Sequence, residues 1–228
     1  MSGLRKLDPV LFGLAFAALA AVLGYSFMGL DDEFAEVFAA EDAGIEYGTA
    51  IFLLISSIVL ARYAVRLLKA GWTRSGAFLT LYALMFLFGA GEEISWGQRL
   101  LGFDTPEFLQ ERNAQGEMTL HNLNWGDTHI AHTIFGTGLS AVILLYLVVL
   151  PFLYPSVGWI AHLADVFMVP VPSPRHAVGI VVASLVMVAV DLSRQWEVYE
   201  FIFSLMALSV FLYPANAHRF TQREAAAV

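Results

Sequence analysis

The chain of 228 residues contains no cysteine, which excludes disulfides, thiolate metal sites and cysteine nucleophiles. Charge is scarce as well. Only 14% of residues are charged, where an ordinary soluble domain carries about a quarter. Positive charge is the scarcer sign, with 12 Lys and Arg against 20 Asp and Glu, and a net charge of −8 disfavours nucleic acid as a partner. What is abundant is apolar sequence: 58% of residues are hydrophobic and the mean hydropathy is +0.68. The excess falls in long runs nearly free of charge, which points to the bilayer as solvent. A water-soluble globular enzyme, a nucleic-acid module and a disordered chain are thereby excluded.

Apolar stretches of about 20 residues predict an all-α, polytopic membrane bundle forming one domain over 1–228. Its six spans run at about 9–30, 47–68, 75–91, 133–154, 177–192 and 198–213, with a long loop over 100–127. The third, fifth and sixth are short for a bilayer and are expected to continue as helix into the polar residues beside them. The first resembles a signal peptide in having Arg5 and Lys6 before it. Its 22 residues are too many for an h-region, and Met28-Gly29-Leu30 is a poor cleavage site, so it reads as retained.

Basic residues set the orientation. With the N-terminus in the cytoplasm, that side collects Arg5, Lys6, Arg62, Arg66, Lys69, Arg74, Arg175, Arg219 and Arg223, leaving Arg99, Arg112 and Arg194 outside. The acids are biased the other way: three inside (Asp8, Asp165, Glu224) and 17 outside. Both termini are therefore predicted cytoplasmic, in a multi-pass protein of a bacterial inner membrane.

Three connections carry carboxylates to the outer face. Asp42 and Glu46 are one turn apart before span two. Glu92 and Glu93 close span three, in GEEISWGQR. Glu197 and Glu200 open span six, and His121, His129 and His132 lie in or after the long loop. Residues one turn apart share a helix face. Helical bundles build metal sites from such inward-facing Glu and His, and carboxylate with imidazole suits Zn, Mn or Fe. The site expected is a divalent metal held by Glu46, Glu92, Glu93, His121, Glu197 and Glu200. Glu92 and Glu93 would serve as general acid or base, and Ser95, Gln98 and Arg99 would support the site or anchor substrate. A metal of this kind activates water for hydrolysis. A short helix opened by Thr105-Pro106-Glu107, capped by Thr105 or Asp104, would act as a lid. Asn113, Gln115, Asn122 and Asn124 could orient ligands or substrate.

Other roles compete for the same residues. Acids in a first turn favourably meet the helix dipole, Trp96, Trp159 and Trp196 are ordinary interface anchors, and Arg99 can pair with Glu92 or Glu93. An acidic face also attracts a basic partner protein, so a non-catalytic accessory or scaffolding subunit is the alternative. Proton or cation transport is the weakest reading, because the middles of the spans lack charge and a central Pro-Gly break. His162, His176 and His218, on the basic side, read as surface residues. Residues 158–168 suggest a short interfacial helix.

At GAGEEISWGQRLLGF and TPEFLQERNAQGEMTLHNL, with Glu41 to Tyr47 and Glu197 to Glu200, the chain resembles a group of uncharacterised bacterial polytopic membrane proteins. That resemblance implies a shared outer-face constellation and no established activity. A looser comparison is with alkaline ceramidase-like membrane hydrolases, whose zinc sites use histidines, an aspartate and a serine. Ser95, His121, His129, His132 and Asp191 supply those residue types. His129 and His132, however, are three apart where that family's paired histidines are four apart, and that family has seven spans. The function expected is a metal-dependent membrane hydrolase acting on a lipid or lipid-linked substrate at the periplasmic surface.

With no native thiol, a single Gln115→Cys is expected to react with a membrane-impermeant maleimide on intact spheroplasts, and Ala225→Cys only after permeabilisation. Labelling of Ala225→Cys in intact spheroplasts would overturn the orientation.

Overall fold

The structure, a computed structural model, describes residues 7–111, 113, 116, 118–120 and 138–220, Arg99 by its backbone alone. Among the described residues the fold is all-helical. Seven main helices follow one another: α1 (Leu7–Met28), α2 (Gly44–Lys69), α3 (Thr73–Glu93), α4 (Leu139–Ser156), α5 (Gly158–Val166), α6 (Pro174–Ala189) and α7 (Gln195–Leu212). Five of them, α1 to α4 and α7, are long and apolar enough to cross a membrane, and the chain is a multi-pass membrane protein. Helix α6, the fifth expected span, has 16 residues and rises about 24 Å, shorter than a typical hydrocarbon core of about 30 Å. Two of the three expected continuations are present, with α3 extending through Glu93 and α7 beginning at Gln195, while α6 gains Pro174 to His176 but ends at Ala189, short of the expected residue 192.

The bundle is organised around α7. Where the other spans bury one stripe, such as Leu11, Ala15, Ala18, Leu19 and Val22 of α1, α7 buries an unbroken run from Ser204 to Phe211. It packs against α1, α2 and α6. Small residues permit the closest approaches, as expected where the surrounding solvent is as apolar as the helix. A Cβ on Gly48 of α2 would stand 2.7 Å from the Phe201 ring of α7, so any larger residue there forces the ring to shift. Helices α2 and α3 form a hairpin through Ala70-Gly71-Trp72. Gly76 lies against Leu68, and the Ser57 hydroxyl donates to the Ala83 carbonyl at 2.7 Å.

Helix α4 is interrupted by a π-turn over Leu145–Val149. Pro151 and Pro155 follow it, and a proline has no N–H to return to the fourth carbonyl before it. Helix α5 is the interfacial helix expected near residue 158, with Trp159 and Leu163 exposed. The turn that follows is held by Asn216, which is fully buried. It accepts from the Val171 N–H at 2.9 Å and donates to the Val169 carbonyl at 3.0 Å and the Asp165 carboxylate at 3.3 Å.

Gly48→Ala should destabilise the protein by about 1–3 kcal/mol, the usual cost of overpacking. Gly13→Ala, where nothing lies within 4 Å, should be neutral or stabilising. Melting curves in one detergent check the pair, and equal shifts would refute a tight α2–α7 contact.

Candidate functional site

One end of the bundle carries most of the acids, and each carboxylate there is placed by an identifiable local device. At the start of α2, Asp42 adopts φ +55° and its N–H donates to Glu46 Oε2 at 2.5 Å. Glu46 thus reaches back to an N–H just before the helix, where its charge also meets the positive end of the dipole. At the start of α7, Arg194 adopts φ +62°. Its guanidinium donates to the Ala39 carbonyl at 2.7 Å and to Glu197 at 3.2 Å, with Glu41 at 3.9 Å. Beside it, the Ser193 N–H and hydroxyl both donate to Asp31, at 2.7 and 3.0 Å. The α1–α2 and α6–α7 connections are tied together in this way.

Helix α3 ends at Glu93, and Ser95, Trp96 and Gly97 then follow in left-handed conformations, at φ +46°, +55° and +77°. Non-glycine residues resist that region by about 1–3 kcal/mol each, so the turn must be held. A Cβ on Gly91 would lie 2.8 Å from the Trp96 ring, which also meets Phe88 at 5.6 Å. The indole N–H donates to Glu92 Oε1 at 2.7 Å, and the other oxygen of Glu92 accepts from the Leu120 N–H at 2.7 Å. Glu92 is 7% exposed. It therefore joins the end of α3 to the far part of the loop that follows it.

The rest of the described loop is folded upon itself. Gln98 donates to the Thr105 hydroxyl at 2.5 Å and accepts from the Met118 N–H at 2.9 Å. Thr105 donates to the Gly116 carbonyl at 2.6 Å, and buried Asn113 donates to the Thr119 carbonyl at 2.7 Å. The helix expected after Pro106 spans Glu107–Gln110, but no side chain caps it. The hydroxyl of Thr105, expected as that cap, closes the loop instead. Gln98 and Asn113, expected to meet ligand or substrate, make these bonds within the loop.

Four further carboxylates act electrostatically on Glu93: Glu200 most, then Glu197, Glu46 and Glu92. They come from the ends of α2, α3 and α7, so the expected carboxylates share one neighbourhood. A crowd of like charges in a poorly solvated place is relieved by a proton or by a cation. Among the described residues, no three His, Asp or Glu side chains are grouped closely enough to hold a metal ion. His121, His129, His132, Gln115, Asn122 and Asn124 lie outside the described residues, as does the side chain of Arg99. Ser95 is buried in the strained turn, and Asp191 is exposed beyond α6.

The opposite end holds a polar cluster that sequence reasoning missed. His176, expected at the surface, is fully buried. The Ser173 N–H donates to His176 Nδ1 at 3.0 Å, a capping arrangement at the start of α6. That leaves the proton on Nε2, which faces the Ser209 hydroxyl at 2.9 Å. Ser209 in turn donates to Asp8 at 2.5 Å, and Asp8 pairs with Arg175 at 2.9 Å. The serine gives its proton to the carboxylate and receives one from the imidazole, the reverse of a hydrolytic triad. The chain of bonds joins α1, α6 and α7. The signal available beforehand was Ser173-Pro174-Arg175-His176, a helix start with proline at its first turn.

Comparison with family models, curated proteins and solved structures finds no match for this chain.

Glu92→Ala leaves the Trp96 and Leu120 N–H groups without their acceptor, at about 1–3 kcal/mol each if they stay dry. We expect faster proteolysis between residues 98 and 120 and red-shifted tryptophan emission, with Glu92→Gln intermediate. A wild-type cleavage pattern in Glu92→Ala would show that Glu92 does not hold the loop.

Proposed function

We propose that the chain is a bacterial inner-membrane protein of six spans with both termini cytoplasmic, and that its periplasmic carboxylate cluster holds a divalent cation, Zn, Mn or Fe, for hydrolysis of a lipid or lipid-linked substrate. What supports this reading is the electrostatic repulsion that Glu200, Glu197, Glu46 and Glu92, standing at the ends of three helices, exert on poorly solvated Glu93. Glu93 is the central ligand or base. Glu46, Glu197 and Glu200 complete the acidic wall, and the reading requires His121 to join them. Glu92 orients the loop over the site through its bonds to Trp96 and Leu120. A cation bound here supplies an activated water. The strained turn at Ser95 and Trp96 supports the reading, since such outliers gather at active sites and switches. So does position: the cluster lies at the ends of apolar helices, where a lipid headgroup meets the protein.

A second reading is a non-catalytic accessory subunit whose acidic face binds a basic partner protein. In its favour, Glu46, Glu92 and Glu197 already accept hydrogen bonds from Asp42, from Trp96 and Leu120, and from Arg194.

The two are separated by metal content of detergent-purified protein, prepared without chelator, with and without Glu93→Gln. The hydrolase reading expects close to one Zn, Mn or Fe per chain, lost on substitution. No metal in either form overturns it and leaves the partner reading, which crosslinking to neighbours in intact membranes then tests.

A further inference from the structure

At the basic end of the bundle, the exposed face of α2 carries Arg62, Arg66 and Lys69. Spaced by four and three residues, they form one stripe. A like-charge pair one turn apart is destabilising by itself, and protein usually interleaves acids to offset it. Among the described residues none is free to do so. Of the described acids on this side, Asp8 is bound by Arg175 and Ser209, and Asp165 accepts from Tyr154 and Asn216. Arg62, Arg66, Lys69 and nearby Arg74 make no ion pair with any described residue.

The surface between these cations is a shallow, open groove on the outward face of α2 alone. It is lined by Ile58, Ala61, Arg62, Val65, Arg66 and Lys69, apolar toward the middle of α2 and basic toward its end. Ile58 and Val65 are each about half exposed. Arg62 lies seven residues before the last residue of α2, about 10 Å deeper along the axis. At that depth a guanidinium reaches back toward the headgroups, its methylenes lying on the apolar wall. Arg66 leans over the Tyr63 ring at 5.7 Å, which limits its rotamers. A planar guanidinium so held matches two oxygens of a phosphate.

We propose that this groove binds an anionic glycerophospholipid, its phosphate held by Arg62, Arg66 and Lys69 and an acyl chain lying along Val65, Ala61 and Ile58. The occupant is a lipid and not a soluble anion, because half the groove is apolar and faces the bilayer core. Three unpaired cations demand a negative headgroup, so phosphatidylcholine does not substitute. The site is at the opposite end of the molecule from the carboxylate cluster and does not depend on it.

The full chain in detergent, offered equal amounts of phosphatidylglycerol and phosphatidylcholine, tests this by native mass spectrometry. We expect phosphatidylglycerol adducts in excess by at least about tenfold, since each basic residue near an anionic headgroup contributes a factor of about five and three act together. In the triple variant R62Q/R66Q/K69Q the excess should vanish. In R5Q/K6Q, which removes two cations near the N-terminus in sequence, it should persist. Raising ammonium acetate tenfold in the wild-type sample should erase it, a check that needs no variant to fold. No preference in wild type, equal loss in R5Q/K6Q, or a preference indifferent to salt overturns the proposal. Full displacement of the lipid by millimolar inorganic phosphate also overturns it, because the groove would then be a free-anion site.

Discussion

In an apolar solvent a helix gains nothing by hiding Leu from lipid, so packing must come from shape and from the few hydrogen bonds that cross between helices. The enclosure of α7 meets that constraint. Its buried face between Ser204 and Phe211 has no lipid-facing gap, and the Gly48–Phe201 contact brings α2 close enough for side chains to interlock. Helix α3 follows through its hairpin with α2 and the Phe86–Phe211 ring contact at 4.7 Å. Helix α4 reaches the bundle through α6 and is its least buried span.

Hydrogen bonds that apolar packing cannot supply are concentrated at the two ends. On the acidic side, Asp31 and Arg194 stitch connections far apart in sequence, and Glu92 pins the loop after α3. On the basic side, Asp8, Ser209 and His176 bind three helices, while Asn216 and Asp165 hold the turn after α5. Four of the five described non-glycine residues with positive φ, Asp42, Ser95, Trp96 and Arg194, belong to the acidic side. Strain and charge are thus gathered at the same end.

Five of the six expected span positions were legible because a run of apolar residues long enough for a bilayer has few other uses; the fifth span, α6, is a shorter helix. That Glu46, Glu93, Glu197 and Glu200 lie toward one end of the bundle was legible, since alternating sides puts three connections on one surface; whether they meet at one point was not. The partners were not. Glu92 and Glu93 are adjacent and chemically identical, and only the backward fold of Trp96 onto Gly91 makes one of them the loop's anchor. Thr105 was expected to cap a helix, and a more distant carbonyl, that of Gly116, engages it. His176 looked like a surface residue because its serine and carboxylate partners, Ser209 and Asp8, lie 33 and 168 residues away. The π-turn in α4 needed its neighbours too: proline frees carbonyls, but the packing decides how the helix accommodates them.

The position of α7 in the chain carries a consequence for biogenesis. The helix that α1, α2 and α6 all pack against is the last of them to leave the ribosome. Until residues 195–212 are inserted, the stripes of α1 and α2 that will face it have no partner, and Gly48 opens onto lipid. The α2–α3 hairpin can form early from local contacts, but α1 must wait beside it in the bilayer. Assembly is therefore completed by the arrival of its centre, and each nascent chain spends most of its synthesis as a hairpin and unpaired helices around a vacant axis.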